Sequence, residues 1–231
     1  MASESPTLTI LFENKHWLAV NKIPKLSVER SPFQEDTIES LVYDYLSKSY
    51  KNPYVGIVHR LDRVTTGVLL FAKRKSTLRK INEQFRNKLI KKTYLAIVEE
   101  APPSPKDTLT NYLWKDRKNK KGMVHAAKTE TAVESILHYQ EIGQSNNGHL
   151  LQVNPITGKF HQIRVQLSHI GCPILGDIKY GATKHISPNS IALHAWKLSF
   201  INPTTNQTIY LQAPIPQKDW WYDFAEVLNT L

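Results

Sequence analysis

Residues 55–72 read Val55-Gly56-Ile57-Val58-His59-Arg60-Leu61-Asp62-Arg63-Val64-Thr65-Thr66-Gly67-Val68-Leu69-Leu70-Phe71-Ala72. Two apolar runs enclose a polar, turn-like segment. The second run, Val68 to Ala72, is continuous rather than alternating, which marks a strand buried on both faces. The polar segment holds one acid, Asp62, flanked by Arg60 and Arg63. Positive neighbours favour its ionised form. An ionised carboxylate in such a turn can act as a nucleophile or stabilise a developing cation. It can equally be a loop ion pair worth about 0–1 kcal/mol. The segment taken alone leaves both readings open.

Upstream, Thr9-Ile10-Leu11-Phe12-Glu13 and Trp17-Leu18-Ala19-Val20 are strand-like, with Asn14-Lys15 as turn material between them and Ile23-Pro24 as the break after them. Ile38, Leu41, Val42, Tyr45 and Leu46 recur at helical spacing, and Asp36 or Thr37 can cap that helix. Downstream, Ser76 reads as the N-cap of a helix. Its apolar stripe is Leu78, Ile81, Phe85 and Leu89, and its outer face is basic through Arg79, Lys80, Arg86 and Lys88. Lys92 to Val98 is a further strand.

Pro102, Pro103 and Pro105 mark a connection near residues 101–110. The expectation is a single domain, 1–231, built of two packed halves joined there. The second half opens with short strand-like pieces around the basic stretch 115–121, which reads as a solvated hairpin loop or an RNA-backbone contact. Leu150 to Val153 is a strand. Thr157-Gly158 then turns into a helix with the apolar face Ile163, Leu167 and Ile170, stopped by Gly171 and Pro173. Ile191 to Ala195, Lys197 to Ile201 and Ile209 to Leu211 read as strands, and Trp220 to Ala225 as a short helix. Strands and helices do not alternate strictly, so the fold class is α+β.

Composition bounds the partner. Lys and Arg number 30 against 20 acidic residues, a net charge of +10 over 231 residues. That surplus points to a polyanion, nucleic acid first. Cys172 is the only cysteine, which excludes an intrachain disulfide and a cysteine zinc site and suits a reducing cytosol. No secretory pattern opens the chain and no apolar run is long enough to span a bilayer. A cytoplasmic protein with no membrane partner is therefore expected.

A second cluster is Thr157-Gly158-Lys159-Phe160-His161-Gln162-Ile163-Arg164. A glycine turn opening a helix offers free N–H groups and the positive end of the dipole. Lys159 adds charge, and His161, Arg164 and Ser168 share a face apart from the apolar one. Such a face can meet a phosphate or a carboxylate, or be the polar outer side of a capped helix.

Taken together, these segments resemble the RluA family of pseudouridine synthases. His59-Arg60-Leu61-Asp62 with Thr65-Thr66-Gly67 is similar to the pattern HRLDxxTSG, with Thr66 where serine is usual. Lys92-Thr93-Tyr94 is similar to K-x-Y. Residues 157–164 are similar to TGRxHQIR, with Lys159 in place of arginine. Residues 171–177 with Tyr180-Gly181 are similar to GxPIxGDxxYG, and Leu193-His194-Ala195 to the late LHA motif. The order is that of the family, from about residue 10 to 215. Thr66 keeps the hydroxyl; Lys159 keeps the charge but loses the two-pronged fork.

The resemblance implies an isomerase that acts on uridine in structured RNA, ribosomal or transfer, without cofactor or metal. The implied fold is a mixed, largely antiparallel sheet with flanking helices and a central catalytic cleft. The implied form is the short one, a monomer without an N-terminal S4-like RNA-binding domain. Asp62 would be the catalytic carboxylate and Arg164 its cationic partner. Tyr94 would lie against the uracil, Arg60 would enter the stack the base has left, and Leu193 would wall the base pocket. Lys159 and His161 would bind substrate. The rival classes are an RNA-binding module without catalysis, a glycosylase, and a metal-dependent nuclease. The last would want clustered acids that the Asp62 segment lacks.

Overall fold

Asn14 makes the first turn. Its Oδ1 accepts from the backbone N–H of His16 at 2.8 Å and of Trp17 at 2.9 Å, the local side-chain bonding that suits asparagine to turns. The turn joins β1 (Thr9–Glu13) to β2 (Trp17–Lys22), which pair antiparallel. The computed structural model describes residues 7–30 and 36–230. Of the two candidate caps for α1 (Ile38–Ser47), Thr37 is the one used. Its Oγ1 accepts from Ser40 N at 3.1 Å, and Ser40 Oγ accepts from Thr37 N at 2.9 Å.

β3 (Gly56–Ile57) and β4 (Thr66–Ala72) follow, and both β2 and β3 pair antiparallel with β4. Val68 to Ala72 are all buried, as the unbroken apolar run requires. α2 (Lys75–Arg86) departs from expectation at both ends. Ser76 lies inside its first turn; the N-cap is Arg74, and no side chain caps it. The helix stops at Arg86, so Leu89 falls off the stripe and is exposed. Gln84 is buried on the inner face, where its amide brackets Ile201. Nε2 donates to the carbonyl and Oε1 accepts from the N–H, both at 2.8 Å.

Next come β5 (Lys91–Val98), β6 (Lys106–Asp116), β7 (Lys121–His125), β8 (Val133–Ser145) and β9 (Gly148–Pro155), in the antiparallel order β5-β9-β8-β6-β7. The short pieces expected here are long strands. Exposed polar residues are scattered along β6 and β8, and these side chains hid the strands from an apolar count. The basic stretch 115–121 is the β6–β7 hairpin. Asp116 closes it by accepting from Asn119 N at 3.0 Å, and this bond with the Asn119 amide holds the Asp116 carboxyl below its ordinary pKa.

α3 (Gln162–His169), a 3-10 turn at Ile178–Tyr180, β10 (Leu193–Ile201), β11 (Thr208–Gln212), α4 (Asp219–Tyr222) and α5 (Ala225–Leu228) complete the chain. β10 unites two segments that read as separate strands, and the expected tail helix is two single turns. Gly171 ends α3 as expected, with φ +82.

The chain divides into two compact units. One holds Met1–Ile90 and Lys197–Pro214; the other holds Lys91–Trp196 and Ile215–Leu231. Residues 101–110, where the prolines suggested a junction, lie within the second unit. In the first unit Trp17, Val68, Leu70 and Ile81 pack with Leu198, Phe200, Leu211 and Ala213. Such side chains contribute about 1.5–3 kcal/mol each when fully buried. The pairs β1–β2, β2–β4, β3–β4, β5–β9, β6–β7, β6–β8, β8–β9 and β10–β11 are antiparallel, and an isolated bridge between Ser27 and Thr37 is parallel, so the sheet is mixed and largely antiparallel. With helices α1 to α3 this is the expected α+β class.

Candidate active site

In the first unit Asp62 sits in a turn between β3 and β4 and is half-buried. Thr65 N donates to the Asp62 carbonyl at 3.0 Å and closes the turn. Gly67 follows with φ +113, a conformation side chains resist. What fixes the turn is Lys22, the last residue of β2, which is 0% exposed. Its Nζ donates to the carbonyls of Ile23 at 2.9 Å, Arg63 at 3.1 Å and Thr65 at 2.8 Å. Three acceptors match the three protons of an ammonium. Burial pushes the Lys22 pKa down to about 7, while the charge of Asp62 pulls it up and that of Arg63 pulls it down. Arg63 Nε donates to the Lys25 carbonyl at 2.7 Å. Arg60, on the same segment, is exposed and pairs with Glu29.

In the second unit the segment 157–164 is wired by a buried amide. Gln162 Oε1 accepts from Thr157 Oγ1 at 2.8 Å and from Lys159 N at 3.0 Å, and its Nε2 donates to the Ile136 carbonyl at 3.0 Å. The N-cap of α3 is His161, in the left-handed region with φ 55. α3 has no polar outer face over its first six residues: Gln162 to Leu167 are all buried. Arg164 is therefore an interior cation. Asp177 holds it with two prongs, Nε to Oδ2 at 2.7 Å and Nη2 to Oδ1 at 2.8 Å, the geometry in which a guanidinium is held most firmly. Its Cζ lies 4.9 Å from the centre of the Tyr180 ring.

Tyr180 is the hub of this region. Its hydroxyl accepts from Gly122 N at 2.6 Å and lies 2.8 Å from His161 Nδ1. Burial first, then the charges of Arg164, Lys179 and Lys115, push the His161 pKa down to about 3. A neutral ring leaves Nδ1 free to accept the tyrosine proton. Lys121, from the hairpin, places Nζ 5.1 Å from the centre of the same Tyr180 ring. His161 also stacks on Phe160, with centroids 3.7 Å apart.

Tyr94 lies on β5 opposite Val153 and is half-buried. Two residues before it, Lys92 donates to the Thr157 carbonyl at 3.2 Å, and burial pushes its pKa down to about 8. Lys159 is exposed, and Leu193, the first residue of β10, is 3% exposed. Arg60 and Asp62 thus share one turn, and His161 and Arg164 converge on Tyr180. Reading the residues in order missed Lys22, whose only signal is a lysine closing a strand that opens with four apolar residues. It also missed the work of Asp177 and Tyr180, although both stand in the GxPIxGDxxYG segment. Among the described residues no three His, Cys, Asp or Glu side chains are grouped so as to hold a metal ion.

Residues 16–169 match the RNA pseudouridylate synthase family. The chain is 37% identical over 232 residues to the ribosomal large subunit pseudouridine synthase C of Buchnera aphidicola subsp. Baizongia pistaciae, covering 96% of this chain and 70% of that one. It is 30% identical over 233 residues to the RNA pseudouridine synthase YlyB of Bacillus subtilis, covering 99% and 74%. In fold it is similar to human RNA Pseudouridylate Synthase Domain Containing 4, with a TM-score of 0.77 at 24% identity over 95% of this chain and 93% of that one. The matches span both units and include the Asp62 turn and the start of α3, as the order of motifs implied. The chain belongs to the RNA pseudouridylate synthase family and is an isomerase that turns uridine in RNA into pseudouridine.

Proposed function

We propose that Asp62 is the catalytic carboxylate, with Arg164 as its cationic partner, and that the substrate is a uridine in structured ribosomal or transfer RNA. The observation that carries the reading is the clasp of Lys22 on the Arg63 and Thr65 carbonyls. It fixes the backbone on one side of Asp62 through main-chain carbonyls. The name of the Buchnera relative favours ribosomal RNA.

The reaction breaks N1–C1′, forms C5–C1′, releases the C5 hydrogen as a proton and returns one to N1. Electrons balance within the nucleotide. Asp62 enters by adding to the sugar carbon, by adding to the base, or by taking a sugar proton to give a glycal. Each route starts from the anion. The uridine must first leave its helix, at a cost of a few kcal/mol. Stacking on Tyr94 offsets about 1–3 kcal/mol of that, Arg60 fills the space left behind, and Leu193 walls the base. Lys159, exposed at its turn, contacts a phosphate. His161, held neutral, contributes its ring rather than charge. The protein acts as a monomer in the cytoplasm.

Asp62→Asn should fold and keep most RNA affinity but form no pseudouridine in single-turnover assays. Turnover near that of the unmodified protein, in a preparation free of deamidation, would falsify the assignment. Mapping pseudouridine in cells with and without the gene identifies the RNA.

A further inference from the structure

The first unit has a cavity at the end of β2 and β4 away from the Asp62 turn. It measures about 330 Å³, and its lining includes Lys15, Lys51, Lys73 and Arg74 together with Tyr50 and Tyr54. That volume lies at the lower end of ordinary ligand pockets. The strand register fixes its place. β2 and β4 run antiparallel with Lys22 opposite Gly67 and Trp17 opposite Ala72. Lys22 grips the Asp62 turn, whereas Lys15 precedes β2 and Lys73-Arg74 follow β4. Six residues of extended strand separate Gly67 from Lys73, about 20 Å at ~3.3 Å per residue. The cavity is therefore not part of the Asp62 turn.

Three of its four cations have no ionic partner among the described residues. Among the described residues no acidic side chain lines it. Lys73 is neutralised by Glu13 at 2.6 Å, and its Nζ lies 4.8 Å from the centre of the Tyr50 ring. Lys15, Lys51 and Arg74 are exposed and make no ion pair among the described residues. Neighbouring His16 responds to the same field. After burial, the charges of Arg74, Lys15 and Lys80 hold its pKa below the ordinary value. Cations beside flat rings in a concave site suit a phosphate and the base attached to it.

We propose that this cavity is a second RNA-binding site, which holds a phosphate on Lys15, Lys51 and Arg74 and stacks a base of the substrate RNA on Tyr50, remote from the uridine being isomerised. The inference rests on the RNA activity of the family. It means that recognition extends beyond the target loop, so the protein distinguishes a uridine within a folded RNA from the same uridine in an isolated hairpin.

The test removes three exposed charges at once, Lys15→Gln/Lys51→Gln/Arg74→Gln, and compares the variant with one lacking three exposed lysines elsewhere, Lys106→Gln/Lys128→Gln/Lys218→Gln. Two transcripts are used: a large-subunit ribosomal RNA domain, and the minimal hairpin around its modified uridine. The cavity variant should bind the domain about tenfold more weakly at moderate salt. Its slope of log affinity against log salt should be shallower by about 1 unit, as the loss of one phosphate site requires. Affinity for the minimal hairpin and turnover at saturating RNA should stay unchanged. Tyr50→Ala should weaken domain binding without altering the slope. The proposal fails if the cavity variant binds the domain like the unmodified protein, if the control variant loses as much, or if saturating turnover falls instead. It fails also if uridine 5′-monophosphate competes with the domain only when the cavity is intact, which would make the occupant a free nucleotide. Absence of pseudouridine from both transcripts would instead count against ribosomal RNA as the substrate, and the binding arms would still decide the cavity.

Discussion

Arg60 and Arg164 are the two arginines to which the motifs give work at the target nucleotide, and they are held in opposite ways. The side chain of Arg60 is 67% exposed and pairs with Glu29, itself 50% exposed. That of Arg164 is 6% exposed and is gripped by Asp177 at 2%. An exposed pair is worth about 0–1 kcal/mol and exchanges readily. A buried pair that loses one member leaves an uncompensated charge, at a cost of about 3–5 kcal/mol. The first arginine can leave its acid for an RNA stack at little cost. The second is fixed in the interior by Asp177, and moving it would expose a buried charge pair.

The largest effect expected from this contrast is at Asp177. Asp177→Leu strands the Arg164 charge in the interior and should cost about 3–5 kcal/mol in urea unfolding. Arg164→Met strands Asp177 instead and should cost a similar amount, with pseudouridine formation lost as well. The double variant removes both charges, so it should recover most of the stability and none of the activity. A single Asp177→Leu protein as stable as the unmodified one would show that the pair does not hold Arg164.

Lys22 lies between the two extremes: buried like Arg164, but paired with carbonyls rather than a carboxylate. Lys22→Met should cost about 2–3 kcal/mol through the carbonyls it leaves unpaired, and it should slow isomerisation more than it weakens RNA binding. Its pH dependence has a definite sign. The folded pKa is about 7, below the ordinary 10.5, so between those values the unfolded chain holds a proton that the folded protein has released. Stability from this group therefore rises with pH across that window. The stability gap between the unmodified protein and Lys22→Met should widen from pH 7 towards pH 10. A gap that stays constant would mean that the three carbonyls keep the ammonium charged.

The smallest effect belongs to the surface pair. Glu29→Gln should change stability by less than about 1 kcal/mol and leave RNA affinity equal or slightly higher, because Arg60 is then easier to release. A marked loss of affinity would make Glu29 part of the RNA contact and reverse the contrast drawn between the two arginines.

Much of this was legible in the chain before its fold. The buried β4 follows from five apolar residues in a row and the end of α3 from Gly171, while the α1 cap is narrowed to Asp36 or Thr37. Asp62 and Arg164 stand out as candidates because each sits inside a contiguous motif. What was hidden depends on distant partners. Lys22 closes a strand in sequence and looks like a surface residue; only the carbonyls of Arg63 and Thr65, some forty residues on, make it an interior one. α3 read as amphipathic because glutamine and arginine usually face water. Here Gln166 Nε2 donates to the carbonyls of Leu109 and Ser135, and Arg164 to Asp177, so the polar side is buried as well. The long β6 and β8 were missed because polar, solvent-facing residues interrupt their apolar ones.

The way the chain threads its units has a consequence for synthesis on the ribosome. The core of the first unit needs Leu198, Phe200, Leu211 and Ala213 as well as residues before Ile90. Those later strands emerge roughly a hundred residues after Ile90, a delay of about 5–20 s at the usual pace of translation. Throughout that interval the nascent sheet lacks part of its apolar cover, a state that invites pairing with other nascent chains. The second unit, whose last segment begins at Ile215, must wait longer still. Truncation anywhere before β11 would therefore leave both units unfinished, and slowing translation should increase the demand for chaperones more than it helps either unit to fold.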